Sequence, residues 1–454
     1  MDGSSDGTAD TSRFSPDTIF AFASGHGRSA IAVVRISGPE ARLVLGSLLV
    51  GSPPPPRRAS LRTLRDPVSK DVLDKALVLW LPGPTTFTGE DQIELHVHGG
   101  IAVRAAIARV LAARPRCRGA EPGEFTRRAF LNGRLDLTAV EGLADLIDAE
   151  TEAQRRQAVR DLEGELSGRV LAWRERLADA LAACEACLDF SEEEDVPTEV
   201  GASTIEVSAE VAAEVRAALV GSERAERLRE GFVVVIAGPP NAGKSTLINA
   251  IARREVAIVS PMAGTTRDAI EVRCDLSGLP VTFTDTAGLR QSDDPVERLG
   301  MARSNTRIAS ADLVLWLTSV ESQKSQVATP EARLVQEVRT KGDLLGPRKT
   351  RIQGLTVSAQ NGDGLQQLLD RVHELAAGAL VGAGDAVVTR ERHRSALQEV
   401  VACLERTQVA GPSGATELVA EDLRLALRAL GRLTGRVDVE DILDRIFASF
   451  CVGK

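Results

Sequence analysis

The stretch Gly238-Pro239-Pro240-Asn241-Ala242-Gly243-Lys244-Ser245 constrains this chain more than any other. It fits the spacing GxxxxGK[ST], follows the apolar run FVVVIA and opens into STLINAIA, the strand–loop–helix context that such a loop requires. Glycines let consecutive backbone N–H groups turn toward a phosphate, and a helix start adds a dipole that favours anions. Lys244 is placed to reach the β- and γ-phosphates and Ser245 to ligate Mg²⁺. Asn241, Ala242, Gly243 and Thr246 complete the loop. A nucleotide-binding α/β module with a parallel sheet follows.

Downstream, SPMAGTTRD (260–268) supplies Thr265 and Thr266, and TFTDTAGLR (282–290) ends a strand with Asp285, Thr286, Ala287 and Gly288. An Asp at that strand end holds a metal's water shell, and Gly288 lets its N–H meet the γ-phosphate. In this order the two segments resemble the switch regions of translation-factor-type GTPases. The base-reading segment is Thr340-Lys341-Gly342-Asp343, where Asn-Lys-x-Asp is usual. Asp343 can accept from guanine N1 and N2, while Thr340 offers a hydroxyl in place of an amide, as in Rho-type GTPases. Ser358-Ala359-Gln360 resembles the fifth GTPase motif, which favours GTP over ATP.

The attacking water needs an orienting group, and Leu289 stands where Ras-type enzymes carry Gln. Asn241 with the Gly-Thr-Thr loop suits a potassium-assisted GTPase. Glu297 is a carboxylate that a moving switch could bring to the water, although from the residues alone it reads as a solvated charge.

Around this module the chain changes character. AIAVVRISG (30–38), KALVLWLPG (75–83) and the alternating DQIELHVHGG (91–100) read as strands. Residues 138–228 are rich in Ala, Leu, Glu and Arg at helical spacing, and helix signals return from about 385 to the end. The α/β module therefore reads as an insertion into a helical domain. Six cysteines in 454 residues make no disulfide framework. No run of about 18 apolar residues suggests a membrane span. The formal charge of −9 means that any RNA contact must be a local patch. Asp2, Asp6, Asp10 and Asp17 make residues 1–17 look like a disordered leader, or a chain whose targeting segment is missing.

Other residues read blandly. His96 and His98 share a strand face, and a metal there would need outside ligands. Cys184-Glu185-Ala186-Cys187 falls mid-helix as packing cysteines, and Arg155 and Arg156 read as solvated. The terminal FASFCVGK is too apolar for a free end and reads as packed.

The segments GRSAIAVVRISGPEA, FTGEDQIELHVHGG, PGEFTRRAFLNGRLDLTAVEGLADLIDAETEAQ, GPPNAGKSTL, AGTTRDAI, DTAGLR and the ending FCVGK together resemble the MnmE (TrmE) family of tRNA-modifying GTPases. LVLWLPGP, TEAQRRQA and FCVGK look closest to its mitochondrial members. The resemblance implies a multidomain α/β chain: an N-terminal α+β folate-binding and dimerisation domain (18–136), a discontinuous, mostly helical domain (137–228 and 377–454) and an inserted Ras-like P-loop G domain (229–376). It implies a homodimer that works with a flavin-dependent MnmG-type partner as a heterotetramer. That assembly modifies C5 of the wobble uridine of tRNA, carboxymethylaminomethyl or taurinomethyl in type. The cofactors implied are GTP, Mg²⁺, K⁺ and a 5-formyl- or methylene-tetrahydrofolate, in the mitochondrial matrix or, alternatively, a bacterial cytoplasm.

Carried over by position, Arg35, Glu94, Arg134 and Lys454 would contact folate; without the resemblance, Arg35 and Glu94 read as a cross-strand pair. Arg134 stands where Lys is usual. Mg²⁺ would take Ser245 and Thr266, and K⁺ would take Asn241, Ser260, Met262 and Thr265. Glu297 matches the water-orienting glutamate, and Cys451 falls on the terminal cysteine. Two other readings are a ribosome-assembly GTPase acting as an RNA-binding switch, and a folate-dependent carrier whose G domain only regulates.

Overall fold

The computed structural model describes residues 17–25, 27–189, 199–258, 271–285, 306–321, 333–345, 354–410, 416–437, 440–450 and 452–453. The leader 1–16, Ser260, Met262, Thr265, Thr266, Thr286, Ala287, Gly288, Glu297, Cys451 and Lys454 lie outside these residues. The chain forms two compact units, residues 1–141 with 434–454, and residues 142–433.

The first unit is an α+β fold. Its elements are β1 (Thr18–Phe22), β2 (Ser29–Ser37), α1 (Ala41–Leu48), β3 (Ser60–Arg65), β4 (Val72–Leu81), β5 (Gln92–Gly99), α2 (Ile101–Ala112), β6 (Cys117–Gly119) and α3 (Glu124–Leu131). The six strands run in the order β3-β4-β5-β2-β1-β6, antiparallel except for the β1–β6 pair. The three runs read as strands become β2, β4 and β5. In β2, the alternation of Ala32, Val34 and Ile36 aims one face into a core with Ile93, Leu95, Leu45 and Leu111.

The second unit begins within α4 (Leu137–Asp148) and continues through α5 (Glu152–Leu162), α6 (Glu165–Asp189), α7 (Glu199–Leu219) and α8 (Ser222–Glu230). Thr151 and Gln154 start α5 with a reciprocal capping box. Next come β7 (Phe232–Ala237), α9 (Lys244–Ala252), β8 (Glu271–Leu276), β9 (Leu279–Asp285), β10 (Leu313–Ser319), β11 (Val335–Thr340), β12 (Leu355–Thr356) and α10 (Leu365–Ala379). These strands form a second sheet, β12-β11-β10-β7-β9-β8, parallel except at the β8–β9 hairpin. The continuous apolar runs in β7 and β10 are what strands buried on both faces need, and Val234, Val235, Leu315 and Leu317 are buried.

The chain then returns to helices α11 (Glu391–Ala410) and α12 (Thr416–Thr434). Val170, Trp173, Leu177, Val211, Val215, Leu397, Leu404, Leu423 and Leu430 join α6, α7, α11 and α12 in one core. Cys184 is buried in it, with its thiol 3.6 Å from the Thr204 hydroxyl. Arg155 and Arg156 share Glu152 at 2.8 and 2.7 Å, and His98 is paired with Asp74 at 2.7 Å. Among the described residues no helix is long and apolar enough to cross a membrane.

The last helix, α13 (Glu440–Ser449), belongs to the first unit. Phe447 is buried against α3: a Cβ on Gly123 would stand 2.7 Å from its carbonyl oxygen. Arg127 lies over the Phe447 ring at 5.0 Å and reaches Asp444 at 2.8 Å. Val452 bridges Pro122, and Gly453, at φ +103°, lies so close to the Phe22 carbonyl that a side chain has no room.

Candidate functional site

β7 delivers the phosphate loop at the C-terminal edge of the parallel sheet. Gly238 passes the β10 backbone so closely that a Cβ would stand 2.4 Å from the Leu317 carbonyl oxygen. Gly243, at φ +88°, starts α9 with no side-chain cap, so the first N–H groups of that helix remain for an anion. The Lys244 ammonium donates to the carbonyls of Gly238 (3.0 Å) and Pro239 (3.2 Å). Burial lowers its pKa from the ordinary lysine value, and the Asp285 charge opposes that.

The Ser245 hydroxyl donates to Asp285 Oδ2 at 2.9 Å. Asp285 is buried, and its Oδ1 has no hydrogen-bond partner among the described residues. A buried carboxylate oxygen left bare is costly, and a hydrated divalent cation is the group that a hydroxyl beside a carboxylate suits. The residues present therefore fit Mg²⁺.

The base-reading loop adjoins this edge. The Thr340 hydroxyl donates to the Ala242 carbonyl at 2.6 Å, and its side chain is buried. The sequence reading sets that hydroxyl against the base, whereas in the fold it ties the base loop to the phosphate loop. Asp343 Oδ1 accepts from Ser358 Oγ at 2.6 Å, which orients the carboxylate, and Gly342 N–H donates to Val357. Lys341 is paired with Glu321 at 2.8 Å, while Ala359 is half-buried and Gln360 exposed. The fold thus gathers Asn241 to Thr246, Asp285, Thr340, Asp343 and Ser358 along one sheet edge.

In the first unit, Arg35 and Glu94 are direct partners across β2 and β5, 3.5 Å apart. This is the cross-strand pairing that the residues alone suggested. The Arg35 guanidinium also lies over the Phe87 ring at 5.5 Å and the Phe125 ring at 5.7 Å. Its Nε is buried with no partner among the described residues. That unspent donor between aromatic rings fits a flat heterocycle with acceptor atoms. Arg134 is exposed, its backbone N–H bound to the Ala129 carbonyl at 2.8 Å.

An ion network that no sequence motif announces lies in the same unit as this pair. Arg128 reaches Glu90 and Glu124, each at 3.0 Å, and Ser37 donates to Glu90 at 2.7 Å. Burial works against the Glu124 charge, but Arg118, the Glu121 N–H and Arg128 hold its pKa below the ordinary value. The available signal is the density of opposite charges in FTGED and GEFTRR around Phe87 and Phe125.

Within the second unit, the β8–β9 hairpin meets the helices. Gly278 accepts from Ala153 N–H at 3.4 Å, and Arg273 reaches Glu150 at 3.2 Å across a cavity of about 620 Å³. Nearby, Thr389 donates to Asp161 at 3.0 Å, Arg390 pairs with Asp145 at 2.7 Å, and Arg229 donates to the Thr389 carbonyl. Both chain crossings into the inserted module are therefore pinned to α4 and α5. Burial pushes the Asp161 carboxyl up to about 7; the Thr389 hydroxyl pulls the other way, and the like charge of Asp145 adds to the rise.

Comparison with known proteins agrees with this architecture. A family model described as MnmE helical domain matches residues 137–451, and one described as GTP-binding protein TrmE N-terminus matches residues 18–134. The chain is 62% identical over 441 residues to a tRNA modification GTPase MnmE from Methylobacterium sp. (strain 4-46), covering 96% of this chain and 100% of that one. It is 56% identical over 439 residues to a protein of the same name from Methylorubrum populi, covering 96% and 98%. A third, from Bradyrhizobium sp. (strain ORS 278), is 51% identical over 443 residues, covering 96% and 99%. These relatives are bacterial, so the nearness to mitochondrial members expected from short phrases is not what they display. The chain belongs to the MnmE (TrmE) family.

Proposed function

We propose that this chain is a GTP hydrolase that modifies the wobble uridine of tRNA at C5. Support comes from near-full-length identity to proteins named tRNA modification GTPase and from the sheet edge that gathers Lys244, Ser245, Asp285 and Asp343. The carrying observation is the Ser245–Asp285 pair with its bare Oδ1, a metal-ready group directly beside the phosphate loop.

Lys244 and the first N–H groups of α9 bind the β- and γ-phosphates, and Asp343 reads guanine. Ser245, Asp285 and Thr266 would hold Mg²⁺, which when bound would supply charge neutralisation to the phosphates. Asn241, Ser260, Met262 and Thr265 are assigned to K⁺, and Glu297 to orienting the water. Arg35, Glu94, Arg134 and Lys454 are assigned to a tetrahydrofolate derivative, and Cys451 to a structural or positioning role. The domain limits in this reading are 18–136, 137–228 with 377–454, and 229–376, with the closing residues 434–454 counted in the compact unit of the first domain. The partners in this reading are a second copy of the chain and a flavin-dependent MnmG-type protein, in a bacterial cytoplasm.

Hydrolysis by the purified chain, followed in K⁺ and then in Na⁺, tests the G-domain part. The reading expects faster turnover in K⁺ and a large loss in Glu297→Ala. Equal rates in both salts contradict the cation assignment, and an unaffected Glu297→Ala contradicts the water assignment.

A further inference from the structure

A second cavity of the unit formed by residues 142–433, of about 560 Å³, is bordered by Ser222, Arg224, Arg227, Arg333, Arg394 and Gln398. Two of its arginines are engaged: Arg227 with Asp312 at 3.3 Å and Arg394 with Glu226 at 2.6 Å. Neither Arg224 nor Arg333 pairs with a carboxylate among the described residues. Arg224 and Arg333 therefore leave positive charge on one concave surface that no carboxylate among the described residues pairs with, and an anion placed there would be attracted to both. Glu223 also borders the cavity and, like Arg333, is exposed, so the lining carries four arginines against one carboxylate besides the two paired acids. Gly221, at φ +81°, starts α8 here without a side-chain cap, so backbone N–H groups add to the positive side.

The chemistry of the lining selects phosphate. Guanidinium forks match phosphate oxygens in pairs and keep their charge at any physiological pH. The arginines also come from two parts of the chain. Arg224, Arg227 and Arg394 belong to the helices, whereas Arg333 stands two residues before β11, the strand that ends in the base-reading loop at Thr340. With a formal charge of −9, the chain cannot hold RNA by its bulk field, so contacts must be local patches of this kind.

We propose that this arginine-lined cavity receives a backbone phosphate of the tRNA, an inference that rests on the tRNA reading above. Because Arg333 is continuous with β11, the contact is physically tied to the nucleotide module.

The test measures tRNA binding by the full chain from low to physiological salt. It compares the natural sequence with Arg224→Gln/Arg333→Gln and with Arg224→Lys/Arg333→Lys. The Gln pair should weaken tRNA binding roughly 5- to 20-fold at low salt and flatten the salt dependence by about one to two ion equivalents. The Lys pair should retain most of the affinity, and GTP hydrolysis without tRNA should be unchanged in both. Arg224→Gln alone, with part of the loss, serves if the double variant folds poorly. Unchanged affinity and slope in the Gln variants, with tight binding by the natural chain, overturn the cavity proposal and leave the tRNA reading standing. If the natural chain neither binds nor modifies tRNA, both fall. Inorganic phosphate and GDP are titrated in parallel. If phosphate binding is lost in the Gln pair while tRNA binding is kept, the cavity holds a small anion only and the RNA proposal is overturned.

Discussion

The Thr340 hydroxyl donates to the Ala242 carbonyl at 2.6 Å, joining the base-reading loop to the phosphate loop. A residue that looked like a weak substitute for a base-pairing amide is therefore a buried strut. Thr340→Val keeps the shape and leaves the Ala242 carbonyl without its donor. It should weaken GDP and GTP alike by about 5- to 30-fold, the cost of one buried hydrogen bond. Preference for guanine over adenine should persist, because Asp343 remains held by Ser358. Competition binding with GDP and ADP checks this, and a selective loss of GDP binding would place Thr340 on the base after all.

Asp285 makes the complementary prediction. Its carboxylate takes the Ser245 hydroxyl on one oxygen, and the other has no partner among the described residues. Asp285→Asn is nearly isosteric but removes the charge that a hydrated divalent cation needs. Hydrolysis should fall on the order of 100-fold or more, with a higher Mg²⁺ requirement. A rate unchanged across a Mg²⁺ titration would remove Asp285 from the metal site.

The pH dependence of stability should report Asp161. Its carboxyl lies near 7 in the fold against an ordinary value of 3.8, with Asp145, Arg390, Arg160 and the Thr389 hydroxyl around it. The folded state thus holds a proton that the unfolded chain releases. The resulting stabilisation is complete below about pH 4, is lost as pH rises toward 7, and changes little above that. Asp161→Asn still accepts from Thr389 and should raise stability by on the order of 1–3 kcal/mol near pH 8, with the gain shrinking toward pH 4. Thermal unfolding midpoints measured across pH check it. A constant offset between the two proteins would contradict the assignment.

Much of the fold is visible in the residues because local patterning and global fold agree there. The apolar run AIAVVRISG marks β2, the alternation in DQIELHVHGG marks β5, and the double-sided apolar run FVVVIA marks β7. The phosphate loop is legible because its glycines meet steric demands that a local pattern encodes, as Gly238 against Leu317 illustrates. What stays hidden depends on long-range placement. The apolar tail announces that it is packed, but no local signal says that Val452 bridges Pro122 or that Phe447 covers Gly123. The Arg128–Glu90–Glu124 network is hidden for the opposite reason: charged residues are usually exposed, and only the folded neighbours bury Arg128 and Glu124.

The tail supplies a further prediction. Gly453 has no room for a side chain against Phe22, so the backbone at Gly453 is packed within the first unit. Deleting residues 451–454 should leave GTP hydrolysis within about 2-fold, since the nucleotide site lies in the other unit, yet abolish tRNA modification. Survival of both activities would reduce the tail to packing.

The central claim is tested most directly by mass analysis of tRNA nucleosides from a bacterial strain lacking its own member of the family. The strain is complemented with this chain or with its Lys244→Ala variant. The account predicts that the C5-modified wobble uridine returns with the natural sequence and stays absent with the variant. Unmodified uridine in both strains, despite GTP hydrolysis by the expressed protein, would contradict it.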